Sequence, residues 1–500
     1  MSQQKRLNVE RLEERVLLAG NVAISVVGAT LGLTGDAASN DVSVSTAGGQ
    51  LTIAGNAGTT LSAGPGAAAL LPFIVATDFT TFVTLNNAFV NLLATLPFVT
   101  VDFNMLGGND VVEVDSTAVA GNVVINTGTG NDLLLMDGSS VGGDFTVNMG
   151  DGADRAIATF NTWGDGVGPI EAINVNMGAG NDAVSISNSA TLGVAGGAVL
   201  VVNTGDGADA VNLDNNAFAD DVSIDTGAGN DGVSVTNSSG GPLTISTGTG
   251  DDQVEVTNDI SFSTFGSLTI STGTGVDNVT VRNLDPWDLL IDVGAGGATP
   301  QQVIVDEFNA VVGTYTLLGG DQADHFVLTN AAPGTVTGNS IQTFGGNDIV
   351  EIANSVVFEV DVDLGAGNDQ LIGQNNTGWE GSISGGPGDD AVLLANNQFG
   401  FFSASMSIDL GTGNDQLAMH GSTFESGLNL LQINMGSGDD YYVSGGNSYQ
   451  SSFGPPSFVV NASGGAGSDN LVALDSQPRD QFDAPPNLSG WELIDPDFPA

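Results

Sequence analysis

Residues 245–256 read ISTGTGDDQVEV, and residues 270–281 read ISTGTGVDNVTV. The two stretches share an alternating strand, a glycine turn and a second alternating strand. Asp251 has become Val276, while Asp252 is kept as Asp277. One such short unit cannot bury its apolar face alone, so a chain that repeats itself at this period stacks its units.

Reading outward for Gly-x-Gly-x-Asp followed by alternating apolar residues finds fifteen copies. Their aspartates are Asp110, Asp132, Asp154, Asp182, Asp209, Asp231, Asp252, Asp277, Asp324, Asp348, Asp369, Asp390, Asp415, Asp440 and Asp469. Successive copies lie 21–29 residues apart, with one gap of 47. In that gap sits GAGG, residues 294–297, a degenerate copy that has lost its aspartate. An earlier, weaker echo is TGDAASNDVSV, ending in Asp41 and its strand.

Each unit is rich in Val, Ile and Thr at period two and is bounded by Gly and Asn, which reads as strands. The period predicts an all-β chain: a parallel β-solenoid (β-helix or β-roll) of about 16 coils with short N-terminal helical segments. Propeller blades need about 40 residues each, and sandwiches lack a fixed short period. The second glycine is present in 14 of the 15 copies, the exception being Gln322. The first is present in 13, with Leu106 and Phe344 in its place. Glycine held this strictly points to backbone with φ > 0.

The ends differ from the array. Residues 1–20 form a basic segment with helical spacing of Leu7, Leu12, Val16 and Leu18. Residues 21–100 read as a β segment with a capping helix over 81–96, where Phe82, Leu85, Phe89 and Leu92 form a stripe. Residues 101–475 are the Gly/Asp-rich solenoid, and 476–500 are a Pro/Asp-rich tail or cap. No charge falls in 79–101, but Asn86, Asn87, Asn91 and Pro97 argue against a membrane span. Residues 1–20 lack the succession of regions that marks a secretory signal.

Glycine is 72 of 500 residues, the apolar fraction is 41% and cysteine is absent. The chain can therefore bury a core, and thiolate sites are excluded. Residues 1–20 carry four basic groups and three acids. The other 480 carry three basic groups and 55 acids, a net of −52. Such a surface repels nucleic acid, because phosphate binding needs Lys and Arg. Its natural partners are cations, although an acidic surface also serves solubility alone.

Stacked coils place equivalent aspartates about 5 Å apart. Two like charges at that distance repel by roughly 3 kcal/mol at an effective dielectric of 20. Three escapes exist: the carboxylates splay into water, they cap backbone N–H groups as Asx residues do, or a divalent cation lies between turns. Ca2+ takes six to eight oxygen ligands at flexible geometry, and glycine turns expose carbonyls. Asn or Asp precedes the key aspartate in ten copies, Asn109 and Asp251 among them. Zinc is disfavoured, since His325 and His420 are the only imidazoles.

GGPGDDAVL at 385–393 and GGAGSDNLV at 464–472 resemble the nonapeptide of the RTX, or haemolysin-type, calcium-binding repeats. That resemblance implies a parallel β-roll with Ca2+ between stacked turns, held by the fifteen aspartates above and adjoining glycine carbonyls. Two departures stand out. One glycine turn recurs per 21–29 residues here instead of two per coil, and the family's leading glycine is Thr127, Met149, Thr247 or Leu364 in many copies. LEERVLL, Leu12 to Leu18, resembles the LEPR-XLL motif of exported and cell-surface bacterial proteins, with Glu14 at its proline position. Together the resemblances imply a secreted or cell-surface bacterial calcium-binding repeat protein with a structural or adhesive role. Trp163, Trp287 and Trp379 lie in connections that would touch glycans or proteins.

Two other functions compete. One is a β-helix polysaccharide lyase or hydrolase. A lyase needs a basic residue, and after residue 15 only Arg155, Arg282 and Arg479 remain. No nucleophile elbow, P-loop or zinc motif is present, so the chain is not expected to be an enzyme. The other is an acidic structural solenoid with Asp-capped turns and no metal.

Overall fold

The computed structural model describes residues 20–78, 80–86, 88–91, 100–164, 172–191, 200–258, 265–296, 300–308, 313–332, 338–400, 404–424, 428–449, 459–474, 487–489 and 491–493. The chain is an all-β parallel solenoid of about 13 turns. That count is slightly under the sixteen expected. The chain divides into two compact units, Met1–Val184 with Thr191–Val194, and Ser185–Ala190 with Ala195–Ala500.

The first unit begins with antiparallel structure. Asn21–Val27 and Thr30–Thr34 form one hairpin, and Asp41–Ala47 and Gln50–Gly55 form another. Each hairpin hands over to the solenoid: Thr30–Thr34 pairs in parallel with Thr100–Asn104, and Asp41–Ala47 with Val111–Asp115. One sheet then continues through Val123–Thr129, Phe145–Asp151 and Ile173–Ala179, all parallel and in register. A second continues through Leu133–Asp137 and Arg155–Thr159.

The capping helix expected over 81–96 is corrected in part. Phe82–Leu85 is a strand, antiparallel to Gln50–Gly55. Val83 and Leu85 point inward with period two and are buried. Helical backbone begins only at residues 88–91, and 92–99 lie outside the described residues. The N-terminal helix and the LEERVLL motif lie outside them too, as does most of the 476–500 tail.

The second unit repeats the same coil. Its first sheet runs from Leu200–Asn203 through Val459–Ser463 to Asn487–Ser489, and its second from Ala210–Asp214 through Asp469–Leu474 to Trp491–Leu493. The opening pair of stretches are neighbours: Ile245 faces Ile270, Ser246 faces Ser271 and Val254 faces Val279. Inward residues such as Ile245, Val256 and Ile270 are fully buried. Each is worth about 1.5–3 kcal/mol in water-to-core transfer. Outward residues alternate with them, which is why each strand reads as strict alternation.

The glycine turn is what lets coils approach. A Cβ on Gly250 would lie 1.6 Å from the Gly229 carbonyl oxygen of the preceding coil, and φ there is +134°. The first glycine is crowded too, since a Cβ on Gly248 would lie 1.9 Å from the Gly227 carbonyl oxygen, but two copies depart from it. Leu106 and Phe344 stand in for it at φ 71° and 64°, within reach of an L-residue in the left-handed region.

Two of the three tryptophans placed in connections are core residues. Trp163 and Trp379 are 1% and 0% exposed, and Trp379 packs against Phe399 with ring centroids 6.3 Å apart. They fill the corner where the coil turns back. Of the three, only Trp287, 74% exposed, is free to meet a partner.

Candidate functional site: the aspartate column

All fifteen aspartates fall on the turn between the two sheets and all are buried. Within the first unit the backbone N–H of Asp110 donates to Oδ1 of Asp132 (2.7 Å), Asp132 to Asp154 (2.7 Å) and Asp154 to Asp182 (2.8 Å). In the second unit Asp209, Asp231 and Asp252 each donate to the next member, at 2.8, 2.8 and 2.9 Å. The ladder resumes at Asp324 and runs through Asp348, Asp369, Asp390, Asp415 and Asp440 to Asp469. A backbone N–H therefore lies between Asp252 and Asp277.

Where Asn or Asp precedes the aspartate, that residue forms a second, exposed ladder running the other way. Oδ1 of Asn230 accepts from Asp251 N–H (3.0 Å), and Oδ1 of Asp251 accepts from Val276 N–H (2.9 Å). Asn368, Asp389, Asn414 and Asp439 continue the pattern in later coils. In these turns two successive N–H groups are thus capped, one by the coil behind and one by the coil ahead. Val276 still receives its bond from Asp251. What it fails to offer is an acceptor for the following coil, and that coil is the degenerate GAGG copy.

Two further members of the buried column carry no Gly-x-Gly-x-Asp signature. Gln301 faces Asp324 in register, so it holds the column position of the degenerate copy. Its Nε2 donates to the Gly275 carbonyl at 3.1 Å. The likeness of QQVIV (301–305) to DQVEV (252–256) is the signal that could have found it. At the other end Asn40 donates its N–H to Oδ1 of Asp110 (2.6 Å) and is the member there, one residue before Asp41. Asp324, lacking an aspartate below, turns Oδ2 to the N–H of Gly320 at 2.8 Å.

A neutral ladder does the same work at the opposite corner. Seven residues after the aspartate stands Ser or Asn: Asp132 and Ser139, Asp369 and Asn376, Asp390 and Asn397. Ser355 N–H donates to Asn376 Oδ1 (3.0 Å), and Asn376 N–H to Asn397 Oδ1 (2.9 Å). The Nδ2 groups of Asn376 and Asn397 donate to the carbonyls of Ile352 and Gly373 at 2.7 and 2.8 Å. Both ends of each amide are therefore used.

The aspartate column is not satisfied in this way. The second carboxylate oxygen is buried without a hydrogen-bond partner in Asp110, Asp154, Asp369, Asp390, Asp415, Asp440 and Asp469, while in Asp132, Asp231, Asp252, Asp277 and Asp348 a hydroxyl, of Thr127, Thr226, Thr247, Thr272 or Thr343, lies beside the carboxylate. That second oxygen faces the residue that opens the turn, since a Cβ on Gly385 would lie 2.6 Å from Asp390 Oδ2. That residue is apolar in many coils, as with Met105, Met149, Leu364 and Leu410. Burial pushes Asp110, Asp154, Asp348 and Asp415 up to about 7, and Asp324 and Asp369 to about 6. Asp252 and Asp277 are also raised by burial, partly offset by the hydroxyls of Thr247 and Thr272 beside them. A desolvated carboxyl holds its proton because the charged form has lost its water.

The donor set is all hard oxygen and suits Ca2+ over softer metals. Oδ1 of most members is already engaged, leaving one carboxylate oxygen per coil. Among the described residues no group of three or more His, Cys, Asp or Glu converges on one point. Arg155 is exposed, at the start of a second-sheet strand beside Leu133. No described helix is long and apolar enough to cross a membrane. The fold and its ladders define a structural class, the parallel β-solenoid repeat protein. No family model matches the chain, and neither a search of curated proteins nor one of solved structures found a match.

Proposed function

We propose that the chain is a secreted or cell-surface structural spacer whose aspartate column takes up Ca2+ at some of its turns. One observation carries this reading. At the neutral corner Ser and Asn cap stacked turns with nothing left over, yet the opposite corner uses an acid that buries an unpartnered oxygen in seven coils, those of Asp369, Asp390 and Asp415 among them. An acid in that place is needed only if something positive neutralises it. The resemblance to RTX repeats and the LEPR-XLL-like residues 12–18 support export and the calcium reading. Asp348, Asp369, Asp390 and Asp415 are the residues that would share the ion with turn carbonyls.

The second reading is an acidic solenoid with Asp-capped turns and no metal, in which protons neutralise the column. It is favoured by the Oδ1 ladder itself, which gives most carboxylates a partner at 2.7–2.9 Å without any ion. Calorimetric titration and melting with Ca2+ or chelator separate the two. The calcium reading expects measurable heat and a rise in melting temperature in millimolar Ca2+. An unchanged melting temperature leaves the proton reading. The lyase alternative rests on Arg155, and cleavage of an acidic polysaccharide that Arg155→Ala abolishes would revive it.

A further inference from the structure

We propose that the second sheet over residues 349–445 is a face on which a second copy of this chain docks. The five strands there are Ile349–Ala353, Gln370–Gln374, Ala391–Ala395, Gln416–His420 and Tyr441–Gly445, parallel and in register. Their sequences are IVEIA, QLIGQ, AVLLA, QLAMH and YYVSG. The central outward column is Glu351, Ile372, Leu393, Ala418 and Val443, and the rows beside it are mostly Ala, Gln and Ile. Glu351 is the one acid among these outward positions, in a chain whose formal net charge is −51. It is paired with His325 of the adjoining strand at 3.2 Å.

The choice of occupant follows from charge. Two copies of so acidic a chain repel wherever carboxylates face each other, and uncharged ground is where they meet without that penalty. The first sheet over the same coils has no such ground, since its outward positions include Asp361, Asp363 and Asp409. Regular ladders of mostly uncharged side chains also suit face-to-face packing of two sheets about 10 Å apart. Tyr441, 41% exposed, lies at one end of the patch.

Area sets the strength. Five strands about 4.8 Å apart and five residues long cover roughly 400 Å² per copy, about half of what a standard stable interface buries on each partner. The association is therefore weak and reversible. It strengthens with salt, because the rest of the surface repels and about 1 M salt screens that repulsion beyond about 3 Å.

Sedimentation velocity of the full chain tests this. The expected result is a monomer at low salt and a reversible dimer as protein and salt are raised. Leu393→Asp should keep the chain monomeric at high salt, while Ser407→Asp on the first sheet should leave the dimer intact. If Leu393→Asp melts early, Gln370→Glu with Gln416→Glu places charge on the same face at exposed positions and should weaken association at least tenfold. A chain that stays monomeric at high salt, or a dimer indifferent to the face variants but lost in Ser407→Asp, overturns the proposal.

Discussion

Gly250→Ala is expected to open the stack at one coil and destabilise it by about 3–5 kcal/mol, in the range reserved for named packing and backbone failures. The new methyl carbon would sit 1.6 Å from the Gly229 oxygen, and that neighbour is backbone, which cannot swing aside. The backbone there is also at φ +134°, where an L side chain is strained. Relief requires the two coils to separate, which breaks bonds such as Gly229 N–H to the Thr249 carbonyl at 2.7 Å. Repeat arrays melt by neighbouring units, so the damage stays local. Hydrogen exchange should show protection lost around residues 229–281 and kept in distant coils. Gly232→Ala is the control: its Cβ would meet nothing nearer than 4.0 Å and its φ is not left-handed. It should be neutral or stabilising by up to about 1 kcal/mol. Equal loss in both variants would show that the close approach of carbonyl and glycine is not what selects glycine.

The second large effect is on pH. Six column carboxyls are raised from 3.8 to about 6 or 7 by burial. The fold binds these protons more tightly than the unfolded chain does. Their contribution is fully present below about pH 4 and is lost as pH rises through 6 to 7. Raising one carboxyl's pKa by one corresponds to about 1.4 kcal/mol. Relaxation and coupling between neighbours discount the sum, leaving a fall of several kcal/mol between pH 5 and 8 in the absence of Ca2+. Surface carboxylates titrate lower, so a midpoint near 6 to 7 is the mark of the buried column. Ca2+ requires the ionised form, so in its presence the slope should flatten or reverse. Asp348→Asn with Asp369→Asn and Asp415→Asn should also flatten it and raise the melting temperature at pH 8. Oδ1 remains an acceptor in each, and a neutral amide group replaces the second carboxylate oxygen; Gln301 and Asn40 already place an uncharged amide at the column position, each donating an amide N–H to a backbone carbonyl while its own oxygen stays unpartnered. A triple variant that melts below the parent at pH 8 without Ca2+ would sink the account of a protonated column.

Much of the solenoid was legible in the residues, because it rests on local and periodic rules. Alternation of Val, Ile and Thr fixes which side chains point inward, and Gly-x-Gly marks a turn whose backbone excludes a Cβ. The repeat of ISTGTG at a fixed offset places Ile245 on Ile270 without further information. The Ser/Asn ladder was equally legible, at seven residues from the aspartate. It was hidden by the variable connections that begin just after it.

Other features depend on the neighbouring coil and have no local signature. Phe82–Leu85 fits a helical stripe and a strand equally well over so short a run, and only its antiparallel partner decides between them. Trp163 and Trp379 sit in polar connections, yet the corner between sheets buries them. Gln301 lies in register with Asp324 despite the extra residues 298–300, because pairing follows the inward Val303 and Val305 rather than the glycine count. The repeats alone dictate that aspartates stack. Where each carboxylate points was settled by the fold: Oδ1 to a backbone N–H of the preceding coil, and Oδ2 inward to a buried position. That choice belongs to hydrogen-bond partners more than twenty residues away, which no single repeat contains.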